Sequence, residues 1–350
     1  MIVKNESPVI RRCLATVKPL VDHWVVVDTG SSDGTQDTIR EFMHGVPGQL
    51  HERPWRNFGH NRNEALALAR PHADYLLFID ADEMLAVPPG FEWPALNNTG
   101  YRFNCVFGST HYQRNALVAA RTPWRWCGVI HEYLDSTEPH HWQLLDGPQI
   151  VVSHDGARAR DPTTYLRDIA VLKQALLDEP SNARYAFYLA QSHKDAGQWA
   201  ASREAYLHRA AMGGWEEERW CAQFRAALLG ENLGLAPEQV RSGYLEAYQA
   251  RPSRAEPLYE LARYHRHRNE FSLALLFASQ AAAIPLSSDI LFVDASVYQW
   301  RALDELAVAA SFLPEQRARG RCAMQTLLAQ ALYPQSEAAR MLGNQVFYQL

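Results

Sequence analysis

The segment Tyr75-Leu76-Leu77-Phe78-Ile79-Asp80-Ala81-Asp82-Glu83 is an apolar run that ends abruptly in three carboxylates. Its continuous apolar part, residues 75–79, predicts a strand that is buried on both faces of a parallel sheet. Open α/β sheets bind their ligands at the carboxyl ends of the strands, which is where these acids stand. Because clustered carboxylates repel one another, a cation is their natural partner. The alternative is a solvated loop after a strand, and the rest of the chain decides between the two.

Short apolar runs alternate with amphipathic segments from Met1 to about His154. Ser7 and Pro8 have the residue types of an N-cap and of a first helical position. The pattern predicts strands at 1–3, 24–27, 49–53 and 75–79, and helices at 9–17, 38–44 and 61–70. This βαβαβαβ order predicts a parallel, doubly wound sheet, and shorter apolar runs after residue 100 predict a mixed or antiparallel completion of the same domain.

Helix-forming residues dominate beyond Asp161, and self-similarity appears there with a period of about 34–38 residues. The pairs Leu189-Ala190, Ala227-Leu228 and Leu261-Ala262 occupy matching places in three such units. The spacing is typical of tetratricopeptide (TPR) hairpins, which bury their apolar faces by stacking on one another. The alternative is an irregular helical domain. We therefore predict two domains, residues 1–158 and residues 159–350.

The composition is that of a globular protein. Of the 350 residues 47% are hydrophobic and 21% are charged, and the formal net charge of −5 gives no general attraction to nucleic acid. The five cysteines are scattered without a CxxC pair, which favours a reducing compartment over a disulfide framework. No apolar run reaches the roughly 18–20 residues that span a bilayer. Polar residues interrupt the amino-terminal run at Lys4, so we expect a cytoplasmic enzyme without a signal peptide.

A glycine-rich turn, Asp28-Thr29-Gly30-Ser31-Ser32-Asp33-Gly34-Thr35, follows the second predicted strand. Its glycines let the backbone turn sharply and approach a ligand, and Asp28 can accept hydrogen bonds from a base or a ribose. The alternative is a helix start capped by Ser32 or Asp33. The turn is neither a P-loop nor a GxGxxG fingerprint, so phosphoryl transfer and nicotinamide chemistry lose support.

Four segments together carry a family resemblance. They are Met-Ile-Val-Lys-Asn-Glu (1–6), Val-Val-Val-Asp-Thr-Gly-Ser-Ser-Asp-Gly-Thr (25–35), Asn-Arg-Asn-Glu-Ala-Leu (61–66) and Phe-Ile-Asp-Ala-Asp-Glu (78–83). In order and spacing the chain resembles family 2 glycosyltransferases, in particular the SunS-like subgroup with C-terminal tetratricopeptide repeats. The resemblance implies an α/β GT-A catalytic domain, Rossmann-like with a mixed central sheet, followed by an all-α TPR-like domain.

The same resemblance implies which residues bind the donor. The first strand end and the glycine-rich turn would hold the nucleotide through Val3, Glu6, Asp28 and Asp33. Many relatives have two adjacent acids where this chain has Asp28-Thr29, so which acid reads the base stays open. Arg62 would contact the donor nucleotide or its diphosphate, and the alternative is an arginine on a helix surface.

The DxD element of the family corresponds to Asp80-Ala81-Asp82. By resemblance Asp80 would bind the ribose or a metal-bound water, and Asp82 would ligate the metal. Oxygen ligands together with a diphosphate suit Mn²⁺ or Mg²⁺, and a UDP-sugar is the expected donor. His154 follows a final strand, where many GT-A enzymes have a further metal ligand, and its alternative reading is a polar strand end.

A His-Glu element of the subgroup corresponds to His131-Glu132. Inverting transfer needs one general base that deprotonates the acceptor. Glu132 is the candidate base and His131 would position the acceptor or the diphosphate, with Asp135 as the second choice for the base. Both residues of the element could instead be structural residues on a half-buried strand.

The expected function is metal-dependent, inverting transfer of a sugar from a nucleotide sugar to a hydroxyl or thiol of a peptide or protein. The repeats would dock the acceptor or form a homodimer. One alternative is a glycan or lipid-linked acceptor in cell-envelope assembly, and another is a catalytically inactive GT-A/TPR scaffold. No nucleic-acid partner is expected.

Overall fold

The computed structural model describes residues 1–349, which form two compact units. The first unit contains Met1–Gly108 and Tyr112–Ala196, and the second contains Ser109–His111 and residues 197–349. Within residues 1–349 no helix combines the length and the apolar character needed to cross a lipid bilayer.

The strands of the chain up to the first helical hairpin are β1 (Ile2–Val3), β2 (Trp24–Asp28), β3 (Gly48–Glu52), β4 (Tyr75–Leu77), β5 (Glu83–Ala86), β6 (Gly100–Phe107), β7 (Thr110–Ala119), β8 (Trp124–Cys127), β9 (Tyr133–Ser136) and β10 (Trp142–Val152). The helices of the first unit are α1 (Ile10–Val17), α2 (Thr35–Phe42), α3 (Phe58–Ala69), α4 (Ala157–Arg160), α5 (Thr164–Asp178) and α6 (Ala183–Asp195).

The first unit has a parallel sheet and a separate mixed sheet, which confirms the predicted mixed character but not a single continuous sheet. Strands β1, β2 and β3 pair in parallel, with Val3 opposite Asp28 and Asp28 opposite Glu52. A second group runs in the order β7-β6-β10-β5, in which β10 is parallel to β6 and antiparallel to β5. Both groups share one hydrophobic core, to which α1 contributes the buried residues Ile10, Cys13, Leu14 and Val17.

The parallel pairing predicted for residues 75–79 is wrong. Strand β4 pairs antiparallel with β7, with Leu76 opposite Val118. Leu76, Phe78 and Ile79 are buried, so the apolar run did report burial. A continuous apolar run tells nothing about the direction of the neighbouring strand, which here arrives from residues far along the chain.

The first helix starts later than predicted. It begins at Ile10 with Val9 at the N-cap position and without a side-chain cap, so Ser7 is not the N-cap. The Ser7 amide instead donates to Asp33 (3.0 Å), and the amides of Val9 and Ile10 both donate to the Glu6 carbonyl. Contact with the glycine-rich turn therefore overrides the local capping signal.

The third helix starts earlier than predicted, at Phe58 rather than at Asn61. Asn57 caps it, because its side-chain oxygen accepts a hydrogen bond from the His60 amide (2.7 Å).

The helices of the second unit are α7 (Trp199–Ala211), α8 (Glu216–Asn232), α9 (Pro237–Ala250), α10 (Glu256–His267), α11 (Phe271–Ala283), α12 (Ala302–Ser311), α13 (Arg317–Gln330) and α14 (Ala338–Asn344). Each helix from α7 to α13 packs against the next one in the chain. The matching alanines Ala190, Ala227 and Ala262 are all buried, which agrees with the predicted stack of hairpins. A short strand, β11 (Val293–Asp294), pairs with residues 110–111 of the same unit.

The two compact units divide between Ala196 and Gly197, later than the change from strands to helices near residue 157. The hairpin α5–α6 belongs to the first unit because its core encloses Ile130, which packs with Leu172 and Tyr185. The boundary predicted at 158/159 marks the change from strands to helices. The boundary between the compact units lies later, because the α5–α6 hairpin shares this core with the first unit.

Ion pairs connect alternate helices of the second unit. Glu231 of α8 contacts Arg263 of α10 (2.5 Å), and Arg266 of α10 contacts Glu305 of α12 (2.6 Å). In the same way Asp304 of α12 contacts Arg340 of α14 (2.8 Å). Pairs of this kind, which are only partly exposed, fix how each helix sits against the next but one.

Arg254 is a buried cation of the second unit, with a side chain that is 1% exposed. Its guanidinium contacts Glu256 (2.7 Å) and Asp289 (3.2 Å) and lies 4.0 Å from the Trp220 ring centroid. Both carboxylates are at most 5% exposed; Asp289 also pairs with Arg251, so Arg254 is needed above all to compensate the buried Glu256.

Replacing this cation is expected to destabilise the second unit. Arg254→Met keeps much of the side-chain volume but leaves Glu256 without its cation, while Asp289 keeps Arg251, and the change costs about 3–5 kcal/mol. Arg241→Met, which removes a pair with the exposed Glu238, is the matched control and is expected to cost less than about 0.5 kcal/mol. Urea unfolding of the two variants checks this, and equal losses would contradict it.

Candidate functional site

Arg62 on α3 lies between two carboxylates that the sequence predicts as site residues. Its Nη2 donates to Asp80 Oδ1 (2.8 Å), and its Nε donates to Glu132. Its guanidinium carbon is 5.1 Å from the ring centroid of Trp126. Burial opposes the charge, but Asp80 and Glu132 hold the pKa of Arg62 above its ordinary value. Arg62 is therefore a buried part of the site and not a surface arginine.

The neighbours of Arg62 in the chain fix its place. The buried Asn61 accepts a hydrogen bond from the Arg56 amide (3.0 Å) and donates one to Glu64 (2.9 Å). Asn63 exchanges two hydrogen bonds of 2.9 Å with the backbone of Trp126, the residue whose ring lies beside Arg62. Hydrogen bonds of Asn61 and Asn63, on either side of Arg62, thus fix the backbone that carries the guanidinium.

Glu83 and Arg114 fix the backbone at Asp80 through a chain of hydrogen bonds. Arg114 on β7 donates to both oxygens of Glu83 (2.6 Å each), and Glu83 accepts a hydrogen bond from the Asp80 amide (2.9 Å). Burial opposes ionisation of Asp80, but Arg62 and Arg114 keep the pKa of Asp80 below its ordinary value. Sequence reasoning missed Arg114, because nothing in its own neighbourhood distinguishes it from any other strand arginine.

Asp28 is buried at the end of β2, and its two carboxylate oxygens have different surroundings. Its Oδ1 accepts hydrogen bonds from the amides of Gly30 (2.9 Å) and Ser31 (2.8 Å) and from Gln36 (3.1 Å). Its Oδ2 is buried and has no hydrogen-bond partner among residues 1–349. A buried acceptor without a donor is costly, so this oxygen suits a ligand that brings an N–H or O–H group.

Asp33 and Val3, two of the predicted nucleotide contacts, are committed to protein donors. Asp33 accepts hydrogen bonds from the Ser7 amide (3.0 Å) and from both the amide (3.1 Å) and the hydroxyl (2.5 Å) of Thr35. Although partial burial opposes it, these hydrogen bonds hold the pKa of Asp33 below its ordinary value. The Val3 carbonyl accepts from the amide (2.9 Å) and the hydroxyl (3.0 Å) of Thr29. Their contact with a nucleotide stays a prediction.

Glu6 ties the first loop to the start of α4. Both of its carboxylate oxygens accept from the Ala157 amide, at 3.1 and 3.0 Å. Burial, together with the nearby charge of Asp82, raises the pKa of Glu6 to about 7. The carboxyl group therefore changes its charge near neutral pH.

Asp82, the predicted metal ligand, is half-buried beside Gly156. Burial and the neighbouring Asp80 raise the pKa of Asp82, while His154 acts in the opposite direction because it lies near enough to favour the ionised form. The Gly156 amide donates to Asp82 Oδ2 (3.3 Å), and a Cβ at Gly156 would meet that oxygen at 2.8 Å. Only glycine therefore leaves room at this carboxylate.

The described residues contain no group of three or more His, Cys, Asp or Glu side chains that could hold a metal ion by themselves. A Mg²⁺ or Mn²⁺ ion that binds a nucleotide commonly takes only one or two protein carboxylates and completes its shell with phosphate oxygens and water. Asp82, with His154 nearby, fits that second kind of site and not a closed protein cage.

His131 and Glu132 lie between the sheet and the α5–α6 hairpin. The Glu132 side chain is 6% exposed and accepts a hydrogen bond from Arg62. The His131 ring stacks on Tyr188, with centroids 3.8 Å apart. Desolvation and then the guanidinium groups of Arg184 and Arg158 lower the pKa of His131, so its neutral form prevails at neutral pH.

Comparison with known families finds a match at the amino terminus. Residues 1–89 match the model of Glycosyl transferase family 2. These residues carry the similarity to the family, and the rest of the first unit lies outside the match. The matched residues include Asp28, Arg62, Asp80 and Asp82.

Three curated proteins match parts of the sequence, and two of them are glycosyltransferases named SunS. A TPR repeat-containing protein of Synechococcus elongatus is 32% identical over 202 residues, which are 52% of this chain and 48% of that protein. The SPbeta prophage-derived glycosyltransferase SunS of Bacillus subtilis is 34% identical over 85 residues, 24% of this chain and 19% of that protein. The chain thus spans about half of the first relative and a smaller share of the second.

Among solved structures, a thermophilic TPR protein of Thermus thermophilus superposes with a TM-score of 0.36 and 14% identity, over 52% of this chain and 91% of that chain. The sequence matches and the helical hairpins confirm the predicted order, a family 2 domain followed by TPR-like helices.

Asp135, the second choice for the base, lies outside the acid cluster of the family 2 domain. Its side chain is half exposed on β9 and contacts His140 (4.0 Å). Glu132 is the predicted base that lies beside Arg62 and Asp80.

Glu6→Gln is expected to remove a pH dependence of stability. The pKa of Glu6 is raised from 4.5 to about 7 on folding, so the folded protein binds this proton more readily than the unfolded chain. The wild type therefore loses stability as the pH rises from 4.5 to about 7, by about 1 kcal/mol for a partly exposed group.

Urea unfolding of wild type and Glu6→Gln at pH 5 and pH 8 measures the effect. The variant is expected to gain relative to wild type at the higher pH. Glu41→Gln, which changes an exposed carboxylate on α2, is the control with no such gain. A difference between Glu6→Gln and wild type that is the same at both pH values would contradict the raised pKa.

Proposed function

We propose that this chain is a metal-dependent, inverting glycosyltransferase that moves a sugar from a nucleotide sugar to a hydroxyl or thiol of a peptide or protein. The observation that carries the proposal is the buried Asp80–Arg62–Glu132 cluster of a family 2 domain, with Asp82 beside it. Ionisable groups held in a perturbed, half-buried environment are common at functional sites, and this grouping supports a charged ligand here.

The donor nucleotide would bind at the glycine-rich turn. The buried Oδ2 of Asp28 needs a donor, and a base such as uracil presents an N–H group. Gly30 has a φ of +106°, so its backbone leaves space where a side chain would be strained. These features support a UDP-sugar as the donor substrate.

The diphosphate would lie between Arg62 and Asp82. Within residues 1–349 Arg62 donates through Nε and Nη2, which leaves its Nη1 for a phosphate oxygen. Asp82 and His154 would hold Mn²⁺ or Mg²⁺ together with the phosphate oxygens. When bound, the ion supplies positive charge against the leaving diphosphate.

Glu132 would accept the proton of the acceptor. A general base has to lie beside the proton that it takes, and the hydrogen bond from Arg62 fixes the place of the Glu132 carboxylate. The neutral His131, which stacks on Tyr188, would position the acceptor beside it. The TPR-like helices of the second unit would dock a peptide or protein acceptor, or form a homodimer; this step rests on the resemblance alone.

Asp82→Asn is expected to lower metal-dependent cleavage of a nucleotide sugar at least about 100-fold, because the amide cannot neutralise the ion. UDP-glucose and UDP-N-acetylglucosamine with MnCl₂ are the probes, and released UDP is measured. Asp37→Asn, on an exposed carboxylate of α2, is the control that keeps wild-type activity. A folded Asp82→Asn protein with the wild-type rate would refute the metal role.

Binding distinguishes an enzyme from an inactive scaffold. Calorimetric titration with UDP is expected to give heat in the presence of MnCl₂ and to lose it in EDTA, and the complex is expected to melt at a higher temperature. A scaffold that has lost its donor site would show neither effect.

A further inference from the structure

Helix α6 holds the chain on both sides of Glu132. Arg184, in the first turn of α6, donates to the His131 carbonyl through Nε (2.9 Å) and Nη2 (2.7 Å). The same guanidinium lies 5.3 Å from the ring centroid of Tyr133. One side chain therefore holds the residue before Glu132 by its carbonyl and the residue after it by its ring.

The segment that carries Glu132 needs such a restraint. Gly128 has a φ of +105° and His131 a φ of +51°, and a left-handed conformation of a non-glycine residue persists only where its surroundings hold it. Ile130, between them, is buried in the core of the α5–α6 hairpin. The His131 ring is fixed in addition by Tyr188 of α6.

The restraint reaches the donor site through charged contacts. Arg184 fixes the backbone at His131, Glu132 follows and contacts Arg62, and Arg62 contacts Asp80 at the end of β4. All of these residues lie in the first compact unit. The hairpin α5–α6 is thus part of the same body as the sheet.

We propose that Arg184 is a positioning residue of the sugar-transfer site. By holding the His131 carbonyl it fixes the position of Glu132, which in turn contacts Arg62. The inference deepens the proposed function and rests on it for its catalytic meaning. It assigns the first helical hairpin to the reaction itself, in addition to any role of the later helices in binding an acceptor.

Arginine suits this task better than lysine. Its planar guanidinium donates two hydrogen bonds to one carbonyl and still packs against the rings of Tyr133 and Tyr188, whose centroids are 5.3 and 4.9 Å away. Lysine can donate to the carbonyl but cannot make the paired contact. The exchange rate and the kcat of Arg184→Lys are therefore expected to lie between those of wild type and Arg184→Gln.

Hydrogen–deuterium exchange tests the positioning without any substrate. In Arg184→Gln, peptides that cover residues 126–136 are expected to exchange at least about tenfold faster, because both charge-assisted hydrogen bonds to the His131 carbonyl are lost. Arg167→Gln, which removes an exposed pair with Asp161 on the same hairpin, is the control with unchanged exchange. Unchanged exchange in Arg184→Gln overturns the proposal.

Kinetics test whether the positioning serves the reaction. With UDP-glucose or UDP-N-acetylglucosamine and MnCl₂, Arg184→Gln is expected to lower kcat about tenfold or more, and Arg184→Lys to restore part of it. Because Arg184 acts through Glu132, the double variant Arg184→Gln/Glu132→Gln is expected to match Glu132→Gln within about twofold. Multiplied losses would overturn the route through Glu132.

The two failures can be told apart. A wild-type protein that cleaves no nucleotide sugar overturns the proposed function, whereas the exchange experiment still decides whether Arg184 holds the segment. Faster exchange in Arg184→Gln with an unchanged kcat overturns the catalytic part of the inference alone.

Discussion

The two ion pairs of the Arg62 guanidinium, with Asp80 and with Glu132, hold the acid cluster of the first unit together. They join three parts of the chain that are distant in sequence: α3, the end of β4 and the segment before β9. Removing Arg62 would leave Glu132, whose side chain is 6% exposed, without its cation, and would leave Asp80 only the more distant Arg114 (3.9 Å). Both carboxylates therefore depend on Arg62, whereas Asp82 has no ion pair with a guanidinium among residues 1–349.

The second unit uses the same device without a site. Arg254 lies against the ring of Trp220 and between two carboxylates, much as Arg62 lies against Trp126 and between Asp80 and Glu132. The difference is in what surrounds the cluster. Arg254 also donates to two backbone carbonyls, whereas the Nη1 of Arg62 donates to no group among residues 1–349.

The sequence was sufficient for the elements whose signal is local. The apolar run before Asp80, the alanines of the helical hairpins and the order of strands and helices all correspond to structure, because each reports burial of its own segment. Strand direction, the support of Asp80 by Arg114 and the contacts of Arg184 could not be derived in this way. They arise where segments far apart in the chain meet, and no residue types nearby mark them.

A crystal structure of the protein with UDP and MnCl₂ tests the account most directly. We predict a base N–H donor at Asp28 Oδ2, an ion between Asp82 and the diphosphate, and Arg62 still in contact with Asp80 and Glu132. A nucleotide bound elsewhere, or a diphosphate and ion that do not approach Asp82 and Arg62, would contradict the claim that this acid cluster is the donor site.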